Sequence, residues 1–117
     1  HTAVYGYYDT VLNRMPTEDE FDFWVNAIDS GQVTLGQIVN NLLQSDEYAK
    51  NGAMNSRDTA ALFLTNAFET PPDVASIDYW TAYLNRGHTE TEAVLEIGRL
   101  TQQVVTTGVV DNGYWVI

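Results

Sequence analysis

The sequence has no cysteine, and its 117 residues include two histidines, three prolines and only 5 Lys+Arg against 16 Asp+Glu. Without cysteine there is no disulfide framework, no thiolate zinc site and no cysteine nucleophile. The basic residues Arg14, Lys50, Arg57, Arg86 and Arg99 are scattered, and the formal net charge is −11. Nucleic acid and anionic membrane surfaces both need a cationic face to displace counterions, so neither is an expected partner. No run approaches the ~18 consecutive apolar residues of a membrane span, so no membrane insertion is expected, and no signal-peptide pattern is visible. The eight glycines lie singly, and none sits in a phosphate-cradling loop. The first residue is His1 and not Met, which reads as a fragment, a processed chain or a tag remnant. Large apolar groups, by contrast, are plentiful: 44% of residues are hydrophobic, with three Trp, seven Tyr and four Phe. A chain of this length buries about 65% of the surface it exposes when unfolded, enough for one core and one domain over residues 1–117.

Self-similarity organises the rest. An offset of 56 carries Pro16 onto Pro72, Asp22 onto Asp78, Trp24 onto Trp80 and Gly31 onto Gly87 with no gap. At the same offset Tyr7 falls on Phe63, Tyr8 on Leu64, Leu12 on Phe68, Phe21 on Ile77, Phe23 on Tyr79, Ile28 on Leu84, and Ile38-Val39 on Val94-Leu95. These matches define two units of about residues 3–50 and 56–104, followed by a tail at 105–117.

Each unit reads as helix, turn, helix, turn, helix. Val4, Tyr8, Val11 and Leu12 recur on one helical face, which Pro16 is expected to stop. Thr17-Glu18-Asp19-Glu20 forms a capping box for a second helix with the stripe Phe21, Trp24 and Ile28, ended by Gly31 as a left-handed cap. A third helix runs through Ile38, Val39, Leu42 and Leu43, and Ser45-Asp46-Glu47-Tyr48 caps a further turn. After the polar linker at 51–56, Ala60, Leu64, Ala67 and Phe68 make the next face. Pro71-Pro72-Asp73 restarts the chain into Ile77, Trp80 and Leu84, and Gly87 stops it. Thr89-Glu90-Thr91-Glu92 opens a last helix through Val94, Ile97 and Leu100. Asn112-Gly113 offers a hairpin turn or part of an extended tail. The expected fold is therefore all-α, a bundle of about six or seven short helices from two tandem three-helix repeats. Trp24 and Trp80 are its expected interior anchors.

Tyr8-x-x-x-Leu12-x-Arg14-x-Pro16, then Phe23-Trp24, Ser30-Gly31 and Ser45-x-Glu47-Tyr48, resembles the domain-of-unknown-function family numbered 4214. Pro72-Asp73, Tyr79-Trp80 and Gly87 keep part of that pattern. Thr70 stands where its arginine belongs, Asn13 where it has glycine, and Thr101-Gln102-Gln103 replaces Ser-x-Glu. A fainter likeness, from Gly31 and residues 34–48, is to phycobilisome linker domains. The resemblance implies helical modules of bacterial extracellular and surface proteins, including surface-layer (S-layer) proteins, and no catalytic residue carries over.

The catalytic inventory is correspondingly thin. His1 and His88 are separated, and His88 reads as an exposed turn residue. The pairs Glu18/Asp22 and Glu92/Glu96 have helical spacing for acid–base work, although their place at helix starts already explains most of these acids. Calcium is the one cation left open. Asp29-Ser30-Gly31 and Asp111-Asn112-Gly113 supply too few of its about six to eight oxygens, so no cofactor is expected. Arg14 is read as a clamp from the turn to Glu18, Asp19 or Asp22. Tyr5, Phe23, Tyr79 and Tyr83 fall off the main stripes and are candidate interface residues, or else line the contact between units. The expected function is a non-catalytic interaction or scaffolding module of an extracellular or cell-surface bacterial protein, with protein partners: neighbouring domains or self. The alternatives are a carbohydrate-binding module using exposed tyrosines and, third, a small hydrolase using paired carboxylates.

Overall fold

A helix starts where a side chain accepts the N–H groups of its first turn, and this chain supplies such a residue at six starts. The computed structural model describes residues 2–107. Its helices are α1 (Thr2–Leu12), α2 (Glu18–Asp29), α3 (Leu35–Leu43), α4 (Asp46–Ala49), α5 (Ser56–Phe68), α6 (Val74–Asn85) and α7 (Glu90–Thr107). Among the described residues there is no strand, so the fold is all-α. Reciprocal capping boxes open α2 (Thr17/Glu20), α3 (Thr34/Gln37) and α7 (Thr89/Glu92). Ser45, Asn55 and Asp73 cap α4, α5 and α6. The candidate hairpin at Asn112-Gly113 lies outside the described residues. Helix α7 runs through Thr107, three residues beyond the expected end at 104.

The helix stops correct one expectation. Pro16 does not end α1, which finishes at Leu12 with Asn13 at φ 56°. Helix α5 likewise finishes at Phe68, with Glu69 at φ 61°, before Pro71-Pro72. Helices α2 and α6 end with Gly31 (φ 78°) and Gly87 (φ 101°). At the first of these, the Gln32 N–H donates to Ala27 O and the Gly31 N–H to Ile28 O, the double bond of a left-handed cap.

Positions 13 and 69 are related by 56 residues, as are the bounds of α2 and α6. Past Gly31 and Gly87 the offset falls to 55. The box Thr34/Gln37 corresponds to Thr89/Glu92, and buried Ile38, Val39 and Leu42 correspond to buried Ala93, Val94 and Ile97. The ungapped match of Ile38-Val39 to Val94-Leu95 is therefore one residue out, because the turn after Gly87 is one residue shorter. The same slip explains why Leu100, expected in the stripe, is exposed while Ala93 is buried.

The core lies where α1 packs on α5 and α3 on α7. Val4, Tyr7, Tyr8 and Val11 meet Ala60, Phe63, Leu64 and Ala67. In the buried contact between α1 and α5, Asn66 Nδ2 donates to Thr10 O at 3.0 Å. Thr10 and Asn66 are themselves 56 residues apart, so the two units meet at matching positions.

Glu69 holds a left-handed conformation that costs a side-chain-bearing residue about 1 kcal/mol relative to glycine. Its carboxylate adds to the burial that pushes Asp9 up to about 6. Glu69→Gly is thus expected to raise the thermal midpoint by about 4 °C and to return Asp9 part of the way to the usual carboxylate range. Calorimetry and a carboxyl NMR titration check both effects, and a lowered midpoint would contradict the first.

Candidate functional site

The polar centre of the first unit is built on Arg14, one residue past the left-handed stop of α1. Its guanidinium makes two forks: Nη1 and Nη2 donate to Glu20 at 2.9 and 3.0 Å, and Nε and Nη2 to Glu47 at 2.8 and 2.9 Å. Nη1 also donates to Met15 O at 3.0 Å, and the group sits 5.3 Å from the centroid of the Tyr8 ring. Glu18, Asp19 and Asp22, the expected partners, are not the ones engaged. Those three lie on the exposed side of the first turns of α2, whereas Glu20 is turned toward Thr17 and Arg14 by the capping box. Glu47 arrives from α4, 33 residues away, a pairing no local spacing could show. The signature Ser45-x-Glu47-Tyr48 thereby divides its work: Ser45 caps α4, Glu47 grips Arg14, and Tyr48 enters the core beside Phe63.

The cluster sets its own charge states. Hydrogen bonds from Arg14 hold Glu47 below the usual carboxylate range and, with the Thr17 N–H, bring Glu20 down to about 2. Above it, Trp24 Nε1 donates to Tyr8 Oη at 2.9 Å. Trp24, Tyr8, Arg14 and the Glu20/Glu47 pair thus follow one another, with the Tyr8–Arg14 link a cation against a ring. The second unit has Leu64, Thr70, Ser76 and Gln102 at the matching positions, and so lacks every charged member.

The two tryptophans are not equivalent. Trp80 is 6% exposed, whereas Trp24 is half-buried at the edge of the core. Each carries an exposed aromatic edge-on at the preceding position: Phe23 against Trp24 at 4.9 Å and Tyr79 against Trp80 at 5.1 Å between centroids. Phe23 is 63% and Tyr79 57% exposed. Tyr5 lies at the surface, stacked on Phe21 at 4.6 Å and joining α1 to α2. Tyr83 is half-buried instead: it packs edge-on to Trp80 and stacks on His88 at 3.9 Å. Pro16 and Pro72 are half-buried in the turns ahead of α2 and α6.

Two cavities stand out among the described residues. One of about 490 Å³ opens between the end of α3 and the starts of α5 and α7, and is lined by Asn40, Leu43, Gln44, Thr59, His88 and Glu90 among others. The second, about 400 Å³, lies between α1, α3 and α7 and includes Ala3, Leu35, Leu95, Gly98 and Arg99. The repeat relates them. Offsets of 55 and 56 pair Asn40 with Leu95, Leu43 with Gly98, Gln44 with Arg99, Ala3 with Thr59 and Leu35 with Glu90. One duplicated cavity has a polar lining and the other a mainly apolar one. Among the described residues, no three His, Asp or Glu side chains converge on a metal position, and no helix is long and apolar enough to cross a membrane.

Comparison with known proteins bears on the first unit. Residues 2–52, spanning α1 to α4, match the family model described as "Domain of unknown function (DUF4214)". The residues quoted from the first unit for that resemblance, Tyr8 through Tyr48, fall inside the matched segment. No curated protein and no solved structure matches the chain.

Proposed function

We propose that this chain is a non-catalytic helical interaction module of a secreted or cell-surface bacterial protein, contacting neighbouring domains or copies of itself. One observation carries the reading: Phe23 and Tyr79, at the same position in the two units, stand well into solvent while their neighbours Trp24 and Trp80 anchor them from behind. An aromatic ring fixed at its base loses little conformational freedom on docking, which is why such rings dominate interface energetics. The presence of one on α2 and one on α6 suits a two-ended connector. The acidic, cysteine-free and lysine-poor composition suits the extracellular placement, which the family resemblance implies.

The double variant Phe23→Ser/Tyr79→Ser tests the reading, since both residues are exposed and lie outside the buried core. Sedimentation velocity and crosslinking, on the chain alone and on the chain with flanking domains, are expected to show association that the double variant weakens at least tenfold. Association equally strong in the variant, or none in either setting, would remove the proposal.

A further inference from the structure

We infer that the polar cavity between α3, α5 and α7 is a binding site for a small neutral sugar. Its volume of about 490 Å³ falls within the range of small-ligand sites. The lining is what a polyhydroxylated molecule requires. The Asn40 and Gln44 amides each donate and accept, the Thr59 and Thr91 hydroxyls line the wall, and Leu43, Met54 and Leu84 offer an apolar surface to the C–H face of a ring. The carboxylate of Glu90 supplies two acceptors for a pair of adjacent hydroxyl groups.

The sister cavity shows that this polarity is not imposed by the fold. Leu95, Ala3 and Leu35 occupy the places of Asn40, Thr59 and Glu90 there, on the counterpart helices of the other unit. The one-residue deletion after Gly87 adds a further difference: it brings His88 to the cavity rim, where its ring is stacked on Tyr83 with an interplanar angle of 10°. Charge then selects among polar ligands. Glu90 within the cavity and a net charge of −11 disfavour carboxylated or phosphorylated sugars and leave neutral ones. The site is separate from the exposed aromatics Phe23 and Tyr79, so it stands or falls independently of the interaction reading.

The test is an amide NMR titration of the full chain with glucose, galactose, mannose, N-acetylglucosamine and cellobiose, and with glucuronate as the charged control. At least one neutral sugar is expected to give saturable shifts centred on residues 40, 44, 59 and 91, with millimolar affinity, and glucuronate none. Asn40→Leu/Glu90→Leu, which copies the sister cavity at two exposed positions, is expected to weaken binding at least tenfold while leaving the thermal midpoint unchanged. If that variant unfolds, Gln44→Arg, copying Arg99, takes its place with the same expected loss. No saturable shift with any neutral sugar, shifts centred on Phe23 or Tyr79, glucuronate binding as tight as the neutral sugars, or full affinity in a folded variant would each overturn the assignment.

Discussion

Replacing Trp80 with alanine is expected to lower the unfolding free energy by about 3–5 kcal/mol, and the thermal midpoint by roughly 10–20 °C. The indole is nearly inaccessible and touches two tyrosine rings, Tyr79 at 5.1 Å and Tyr83 at 5.0 Å. Deleting it removes transfer energy, leaves a void under α6 and strips the support from Tyr79. Trp24→Ala should cost less, about 2 kcal/mol, because half-exposed surface gains less from burial; its further loss is one hydrogen bond, to Tyr8 Oη. Urea unfolding of both variants separates the two costs. Equal losses would show that exposure does not rank the tryptophans, and an unchanged midpoint in Trp80→Ala would contradict its role as an anchor.

The second large effect is expected at Arg14. Arg14→Met keeps much of the side-chain volume but removes both forks and leaves Glu20 and Glu47 facing each other without a cation. The expected loss is about 1–2 kcal/mol, at the low end for charge-assisted bonds because the arginine side chain is 34% exposed and screened by solvent. Arg14→Lys should lie between the two, since an ammonium retains the charge and loses the planar fork.

The pH dependence gives this prediction its signature. Glu20 and Glu47 titrate lower in the folded chain than in the unfolded one, so the unfolded state takes up their protons first. Their contribution is complete above about pH 4.5 and is lost as pH falls toward 2. In Arg14→Met that acid limb should flatten. A variant whose stability falls with acid as steeply as the wild type would show that Arg14 is not what holds the two carboxylates ionised. Asp9, raised to about 6 by burial, has the opposite sign: its contribution is present below about pH 4 and lost as pH rises through 6.

What could be read in advance was mostly local. Thr17/Glu20 and Thr89/Glu92 announce their helices because a capping box is written within four consecutive residues, and Gly31 and Gly87 announce the stops. Thr34/Gln37 is the same kind of signal in neutral form, since the glutamine amide oxygen accepts from the cap N–H without a charge that complements the helix dipole. The stop at Asn13 was obscured by the nearby Pro16, a louder breaker placed three residues later. Burial was legible where stripes are regular, as at Val4, Tyr8 and Val11, but not at Tyr7 and Phe63, which become interior only because α1 and α5 face each other. The partners of Arg14 were half legible: Glu20 lies six residues away and was already assigned to the cap, while Glu47 becomes a neighbour only once α4 folds back on α1. The paired cavities were not legible at all. They depend on a change of register of one residue, visible once the caps of α3 and α7 are compared.

The contact between Thr10 and Asn66 has a consequence for how the molecule holds together. Because α1 rests on α5 and α3 on α7, much of the packing runs between halves, as it would between two subunits. The short connection from Lys50 to Asn55 joins what would otherwise be two molecules, and a tether of that length keeps them at an effective concentration in the millimolar range. Dilution therefore cannot dissociate the pair. Either copy was then free to change alone, as with the arginine forks that the first holds and the second lacks, without a matched change in its twin.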